Sequence, residues 1–488
     1  MTAVLPSTGH PTSQDHHPSR DTLTHRIKLP RSILALTIVA TAMLAPAAQA
    51  QPYSTFAATG SLHTARDHAT ATLLKNGLVL IAGGTGDAGP VASAELFDPA
   101  TGKFTETGAL ATGRYNATAT LLPGGKVLIV GGYDDSNRLA GGELYDPSSG
   151  SFTPTTGSLT TGRDRAAATL LKNGKVLVAG GYDGTSRLAS AEIYDPSTGQ
   201  FTPTADMHEA RQQPTATLLR AGKVLITGGF DGTHRHKSAE IYDPATGVFT
   251  LTGSLSTGRY VASSTLLPSG NVLIAGGFGD AGALTSAELY NPADGHFTRT
   301  GKLTTPRYWA TSTLLPNGRV LIAGGYDGSG AWSTTETYDP AKGVFTQSYE
   351  HYNAITGEFT TKGGLVTGRY SAISALLPNG TVLVAGGSND EGRLASAEIY
   401  RPTPAVPGKP TVKWAARKRL VTATVNLVNG TTYKLTAKFG RKTKTGRCKT
   451  KGSKATCTLA PGKGKWTFSI TPHNAGGDGT ANAKAVKL

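Results

Sequence analysis

The sequence predicts an all-β fold: a seven-bladed β-propeller, each blade a four-stranded antiparallel sheet, followed by a small β-sandwich. Three observations carry this expectation. A unit typified by residues 163–210 recurs seven times between Gln51 and Pro402, with arginines at Arg66, Arg114, Arg163, Arg211, Arg259, Arg307 and Arg369. Glycine pairs begin at Gly83, Gly131, Gly180, Gly228, Gly276, Gly324 and Gly386, so the period is 48 or 49 residues except for one interval of 62. Seven copies at such a period mean a repeat architecture, and no segment of the array has a helical period. Finally, the array is out of phase with itself by one strand. It opens near Phe56 on a fourth strand and ends at Tyr400 on a third, so the opening strand can complete the last blade and remove an exposed sheet edge.

The chain begins with a segment set apart from the repeats. Arg26, Lys28 and Arg31 precede the apolar run 33–44, and Ala48-Gln49-Ala50 is a small-residue cleavage site. This pattern is that of a secretory signal over residues 1–50, cleaved after Ala50, which places the mature chain outside the cell or in its envelope. Retention of the run as an anchor is the alternative, although the run is short for a bilayer span and Pro46 interrupts it.

Within the unit, residues 166–171 form a first strand rich in Ala and Thr, small enough for the crowded axis of a propeller. Residues 175–179 are a continuous apolar run, as expected of a strand covered on both faces. Residues 190–195 alternate, with Ala191 and Ile193 on one face and Glu192 and Tyr194 on the other, and a fourth strand begins at Phe201. Asn173-Gly174 and the run 196–199 (Pro-Ser-Thr-Gly) supply the turns between them. The sixth copy is longer by 14 residues, because Tyr338 to Phe345 is echoed by Tyr352 to Phe359. Phe359 keeps the usual ten-residue distance to the next arginine, Arg369, so the fourth strand of that blade is expected at Phe359, with the insertion in the turn before it.

The propeller is expected over residues 51–404, and a proline-rich linker (402–410) ends it. From Ala405 to Leu488 there are 18 Lys or Arg against one acid, Asp478. Of the overall net charge of +16, that tail carries +17 and residues 1–50 carry +2, leaving −3 on the propeller. The tail still alternates as strands and is expected to form a basic sandwich over 405–488. Cys448 and Cys457, the two cysteines of the chain, face each other across an apparent hairpin and are expected to form a disulfide in an oxidising compartment.

The Gly-Gly pair, the Tyr-Asp-Pro that follows and the aromatic seven residues beyond the Tyr resemble kelch repeats, in the version found in the central domain of galactose-oxidase-like proteins. The resemblance spans about 350 residues and departs from many kelch repeats in having Phe where they have Trp. The tail, with Leu459 to Gly462 leading to Trp466 to Ile470, resembles the later strands of a fibronectin type III domain. Galactose oxidase holds copper with tyrosines and histidines, one tyrosine cross-linked to a cysteine. This propeller has no cysteine and no Tyr–His dyad at a strand end, so neither that centre nor any other cofactor or metal is expected.

Comparison among the copies separates scaffold from face. The turns after the first and third strands hardly vary, whereas the loops after Gly-Gly and the residues after each arginine do, and both variable sets fall at one end of a four-stranded meander. The repeated arginines and the repeated glutamates (Glu95, Glu143, Glu192, Glu240, Glu288, Glu336, Glu398) are the same in every copy and are read as structural ion pairs. The loop aspartates are read as turn formers, and His234 and His236 as solvent-facing. The candidate ligand-binding residues follow the arginines: Asp67, His68, Tyr115, Asp164, Arg165, Tyr260, Tyr308, Trp309 and Tyr370. Aromatic platforms beside carboxylates and a guanidinium suit a sugar, whose C–H faces stack and whose hydroxyls hydrogen-bond.

The expected function is that of an exported, non-catalytic binding protein for a glycan or envelope polymer, with no catalytic residues assigned. The basic tail would hold it near an anionic surface, and no specific nucleic acid is expected. Two alternatives stay open: a protein-interaction scaffold, and a metal-independent sugar mutarotase or isomerase using Asp67, His68 and Arg165.

Overall fold

The structure is a computed structural model. It describes residues 54–347 and 364–402, together with the strands at 349–353, 358–362, 412–417, 420–426, 432–439, 442–445, 447–451, 454–459, 465–474, 477–478 and 482–487. The expected signal segment and the linker beyond residue 402 lie outside the described residues.

Between residues 55 and 401 the chain forms seven four-stranded antiparallel blades, all-β as expected. Blade 1 runs Thr70–Leu73, Val79–Ala82, Ala94–Asp98 and Lys103–Glu106 from axis to rim, and blades 2 to 6 repeat this order. Blade 7 takes three strands from the end of the array, Ile373–Leu376, Val382–Ala385 and Ala397–Arg401, and its fourth from the beginning, Thr55–Ala58. The seam is in register: Phe56 lies opposite Tyr400 with ring centroids 5.0 Å apart, and Ala58 lies opposite Glu398. The first strands touch in a circle, Thr70–Leu73 against Ile373–Leu376 included, so the ring closes at the axis as well.

The second strands show why their sequence is apolar throughout. In blade 1, Val79 and Ile81 pack with Leu383, Ala385 and Ala397 of blade 7, while Leu80 and Ala82 pack with Val127, Ile129 and Tyr145 of blade 2. Every such strand is fully buried. At about 1.5–3 kcal/mol for each fully buried large aliphatic side chain, these wedges are what holds one blade to the next. The third strands are covered on both sides too: Glu192 and Tyr194 are more deeply buried than Ile193.

Blade 6 corrects one expectation. Its fourth strand is Val344–Gln347, with Phe345 opposite Tyr338, and Phe359 is not part of the blade. The insertion follows that strand as a separate hairpin, Tyr349–Asn353 paired with Glu358–Lys362. A strand pairs most readily with the neighbour that a short turn delivers to it. The Tyr-to-Phe spacing therefore decides the pairing, while the connection to the next blade is free to lengthen.

The C-terminal strands form two antiparallel sheets, one of four strands and one of five. Thr432–Phe439 of one lies against Lys454–Leu459 of the other, and Leu435 is fully buried. Cys448 stands directly opposite Cys457 in the hairpin of strands Arg447–Lys451 and Lys454–Leu459. Among the described residues no helix is long and apolar enough to cross a membrane.

Candidate functional site

The variable face is positioned by a ring of identical cross-links. In each blade the repeated arginine reaches the repeated glutamate of the same blade, from Arg114–Glu143 at 2.7 Å to Arg163–Glu192 and Arg307–Glu336 at 3.1 Å. The guanidinium also donates to the carbonyl of the first glycine of the pair, as from Arg66 to Gly83 at 3.0 Å. The second glutamate oxygen accepts from the backbone N–H of the segment arriving from the previous blade, as Glu240 does from His208 at 2.9 Å. Burial lowers the pKa of Arg66, Arg259 and Arg369, and the paired glutamate opposes that loss. The ion pairs are structural, as the sequence indicates.

The glycine pair is required by the next blade. Gly132 N–H donates to Arg163 O at 2.9 Å, and a Cβ on Gly131 would stand 2.5 Å from that same oxygen. No side chain fits there.

One step beyond each arginine, the chain turns over the channel mouth. The residue after the arginine forms a β-bridge with the residue after Gly-Gly: Asp67 with Thr85, Tyr115 with Tyr133, Asp164 with Tyr182, Gln212 with Phe230, Tyr260 with Phe278, Tyr308 with Tyr326, Tyr370 with Ser388. The next residue is left-handed in all seven blades: His68, Asn116, Arg165, Gln213, Val261, Trp309 and Ser371 have φ between 49° and 53°. Six backbone N–H groups of this set donate to the equivalent carbonyl of the preceding blade, at 2.8–3.4 Å. The result is a hydrogen-bonded collar whose conformation is costly for any residue with a Cβ, most of all for β-branched Val261.

Two arcs stand on this collar. Over blades 4 to 7 aromatic rings run without a break: Phe230 stacks on Tyr260 at 5.4 Å, then Phe278, Tyr308, Tyr326 and Tyr370 follow at 5.0–5.8 Å. Trp309 stacks on Tyr370 at 5.9 Å and meets the edge of His68 at 5.8 Å, and His68 Nε2 lies 3.2 Å from Ser371 Oγ. Burial raises the Tyr308 and Tyr370 hydroxyls above their usual pKa. The structure thus brings Tyr260, Tyr308, Trp309, Tyr370 and His68 into one continuous surface.

The other arc is charged. Asp67 accepts from Ser388 Oγ at 2.7 Å and faces His68 and Arg393 at 3.3 and 3.5 Å. Burial pushes its carboxyl up, but the hydrogen bonds and nearby positive charges outweigh this and leave its pKa lowered. Asp164 is 1% exposed and lies 3.6 Å from Arg165 and 4.0 Å from Arg138, with neither oxygen accepting a hydrogen bond among the described residues. Burial prevails there, and its pKa is raised. Tyr115 donates to Asp135 at 3.0 Å, and burial with that contact pushes its hydroxyl up to about 12.

Two groups escaped the sequence reading. The rings after Gly-Gly (Tyr133, Tyr182, Phe230, Phe278, Tyr326) belong to the same surface, and so do the loop arginines Arg138, Arg187, Arg235 and Arg393. The signal was present, since an arginine stands seven residues after the first glycine in those four copies. The loop aspartates behave as expected: Asp134, Asp183, Asp231 and Asp327 each accept from two backbone N–H groups of their own turn. His236 corrects the reading of solvent-facing histidines, because it is buried between Ala210 O at 3.0 Å and Glu209 at 2.8 Å, while His234 is exposed. A cavity of about 480 Å³ between blades 1 and 2 lies on the opposite face and is lined by repeated turn residues such as Lys75, Asn76, Lys126 and Asp146.

A family model described as the Kelch motif matches residues 114–156, 165–208 and 216–256. None of the curated proteins compared matches the chain. Among solved structures, the chain is similar to a novel fungal alcohol oxidase with catalytic diversity among the AA5 family, in complex with copper. That likeness is at 16% identity over 90% of this chain and 100% of that one, with a TM-score of 0.58. A second similar structure, that of YjhT, is 18% identical over 59% of this chain and 99% of that one, with a TM-score of 0.48. The residues at this mouth do not fit a copper centre of tyrosines and histidines. His68 is the one histidine on the collar, His236 engages both ring nitrogens, and no three His, Cys, Asp or Glu converge among the described residues. With three of its repeats matched by the Kelch motif and its ring closed in space, residues 55–401 form a seven-bladed kelch-type β-propeller.

Proposed function

We propose that the protein is an exported binding protein that takes carbohydrate on the collar face of its propeller, acting without chemistry of its own. A kelch propeller is in general a binding or interaction scaffold, and the sugar reading adds a ligand class to that. The observation that carries it is the unbroken aromatic arc from Phe230 to Trp309. Rings standing at a rim offer flat apolar faces to the C–H faces of a pyranose, and the neighbouring Asp67, His68 and Arg165 offer donors and acceptors to its hydroxyls. Trp309 stacks beside Tyr370 on this arc, with ring centroids 5.9 Å apart. The C-terminal sheets, with their charge of +17, would keep the protein at an anionic surface, and Cys448–Cys457 would lock one of their hairpins.

The test is a glycan array followed by titration calorimetry with Trp309→Ala and Tyr308→Ala. Wild type binds at least one glycan class, and each variant loses about tenfold or more in affinity. Silence of wild type against every glycan would sink the reading in favour of a protein-interaction scaffold, the alternative closest to what kelch propellers do in general. The tether is tested by elution from an anionic resin with and without residues 405–488, and unchanged retention refutes it.

A further inference from the structure

The four loop arginines form a pattern that one member breaks. In blades 2 and 3 each guanidinium lies between two rings, that of its own loop and that of the next. Arg138 is 3.8 Å from the Tyr133 centroid and 5.0 Å from Tyr182, and Arg187 is 4.8 Å from Tyr182 and 5.5 Å from Phe230. Stacking covers the faces of a guanidinium and leaves its edge for hydrogen bonding. For three of the four, the next blade supplies a carboxylate to the edge: Arg393 to Asp67 at 3.5 Å, Arg138 to Asp164 at 4.0 Å, and Arg235 to Asp280 at 3.6 Å.

Arg187 meets an amide instead. Its Nε donates to Gln212 Oε1 at 3.1 Å, and Gln212 occupies the position that Asp67 and Asp164 hold in blades 1 and 3. Among the described residues no carboxylate lies within ion-pairing distance of Arg187. Asp231, the acid of the adjoining loop, is spent: Oδ1 accepts from Thr233 and His234, and Oδ2 faces His234 and His236 at 3.3 and 3.8 Å. The turn of that loop lies against the cation, and a Cβ on Gly232 would stand 3.0 Å from Arg187 Nη1.

We propose that the Arg187 slot is a carboxylate subsite, and that the sugar bound on this face is an acidic one bearing a uronate-type carboxyl. The inference rests on the carbohydrate reading and adds a charge to it. Where the repeat leaves out its own acid, the ligand brings one. The two Nη groups present parallel donors in the fork that matches a carboxylate. The flanking Phe230 continues through Tyr260 into the aromatic arc, so a carboxyl in the slot leaves the adjoining sugar rings over apolar faces.

The experiment is calorimetry with an oligouronide and its carboxyl-reduced, neutral counterpart, on the full chain and on Arg187→Gln and Gln212→Asp. Gln212→Asp copies the arrangement of Arg138 with Asp164 and gives Arg187 an internal partner, so it occupies the slot without disturbing the fold, which thermal melting checks. The acidic form is expected to bind wild type about ten- to a hundredfold more tightly than the reduced form, with that preference lost in both variants and affinity for the reduced form unchanged. Equal affinity for the two forms, or a preference that survives both variants, overturns the subsite and leaves the carbohydrate reading standing. If neither form binds, the subsite falls, and the carbohydrate reading is then decided by the glycan array alone.

Discussion

Two rings of residues lie one step apart around the mouth of this propeller and have opposite characters. In the first ring every blade has the same arginine, buried against the same glutamate and the same glycine carbonyl. In the second, the side chain is an aspartate, a tyrosine or a glutamine, according to the blade. The backbone is as uniform in one as in the other, so the second ring inherits its geometry from the first. A scaffold built by repetition can hold unlike side chains in equivalent poses, and their differences are then available for recognition.

Breaking the first ring has the largest effect. Arg259→Met leaves Glu288 buried without its partner and costs about 3–5 kcal/mol, read as a shifted urea midpoint. Trp309→Ala, one step further in, leaves stability within about 1 kcal/mol of wild type while weakening glycan binding about tenfold or more. If both variants unfold alike, the division into scaffold and face is wrong.

A finer contrast lies within the second ring, between Asp67 and Asp164. The Asp67 carboxyl is held below its ordinary pKa, so it contributes stability that is present above that value and lost as pH falls through the lowered one. The Asp164 carboxyl is raised, so the folded chain holds that proton more tightly than the unfolded chain, and stability falls as pH rises from the ordinary value through the raised one. Asp67→Asn therefore destabilises at neutral pH, whereas Asp164→Asn flattens the loss of stability above the ordinary carboxylate pKa. Urea midpoints measured from pH 3 to 7 separate the two, and slopes of the same sign would contradict the difference in their surroundings.

The smallest effect concerns the collar. Val261→Asn replaces a β-branched residue at φ 49° by the type that blade 2 already carries at Asn116, and it raises stability by about 0.5 kcal/mol. A loss would mean that the packing of Val261 outweighs its strain.

What the sequence disclosed follows the same division. The number of blades, the completion of blade 7 by Phe56 and the pairing of arginine with glutamate are written in every copy, so comparing copies reveals them. The fourth strand of blade 6 was misplaced because two spacings competed there, Phe345 to Tyr338 and Phe359 to Arg369, and only the shorter closes a hairpin. His236 was misread because its burial depends on Glu209 and Ala210, which arrive from a different turn of the chain. Arg187 shows the limit most plainly: its significance lies in Gln212, one blade away, being an amide, and no local pattern reports a missing partner.

The collar also crosses the seam between the first and last copies. His68 N–H donates to Ser371 O at 3.3 Å, while at the periphery Phe56 pairs with Tyr400. The circle is thus latched twice, at hub and at rim, by groups 303 and about 344 residues apart in the chain. A pull on the opening strand peels the outer latch first and leaves the hub laced. Moving the chain ends to another junction between blades would keep both kinds of latch, so a circularly permuted chain should close into the same disc.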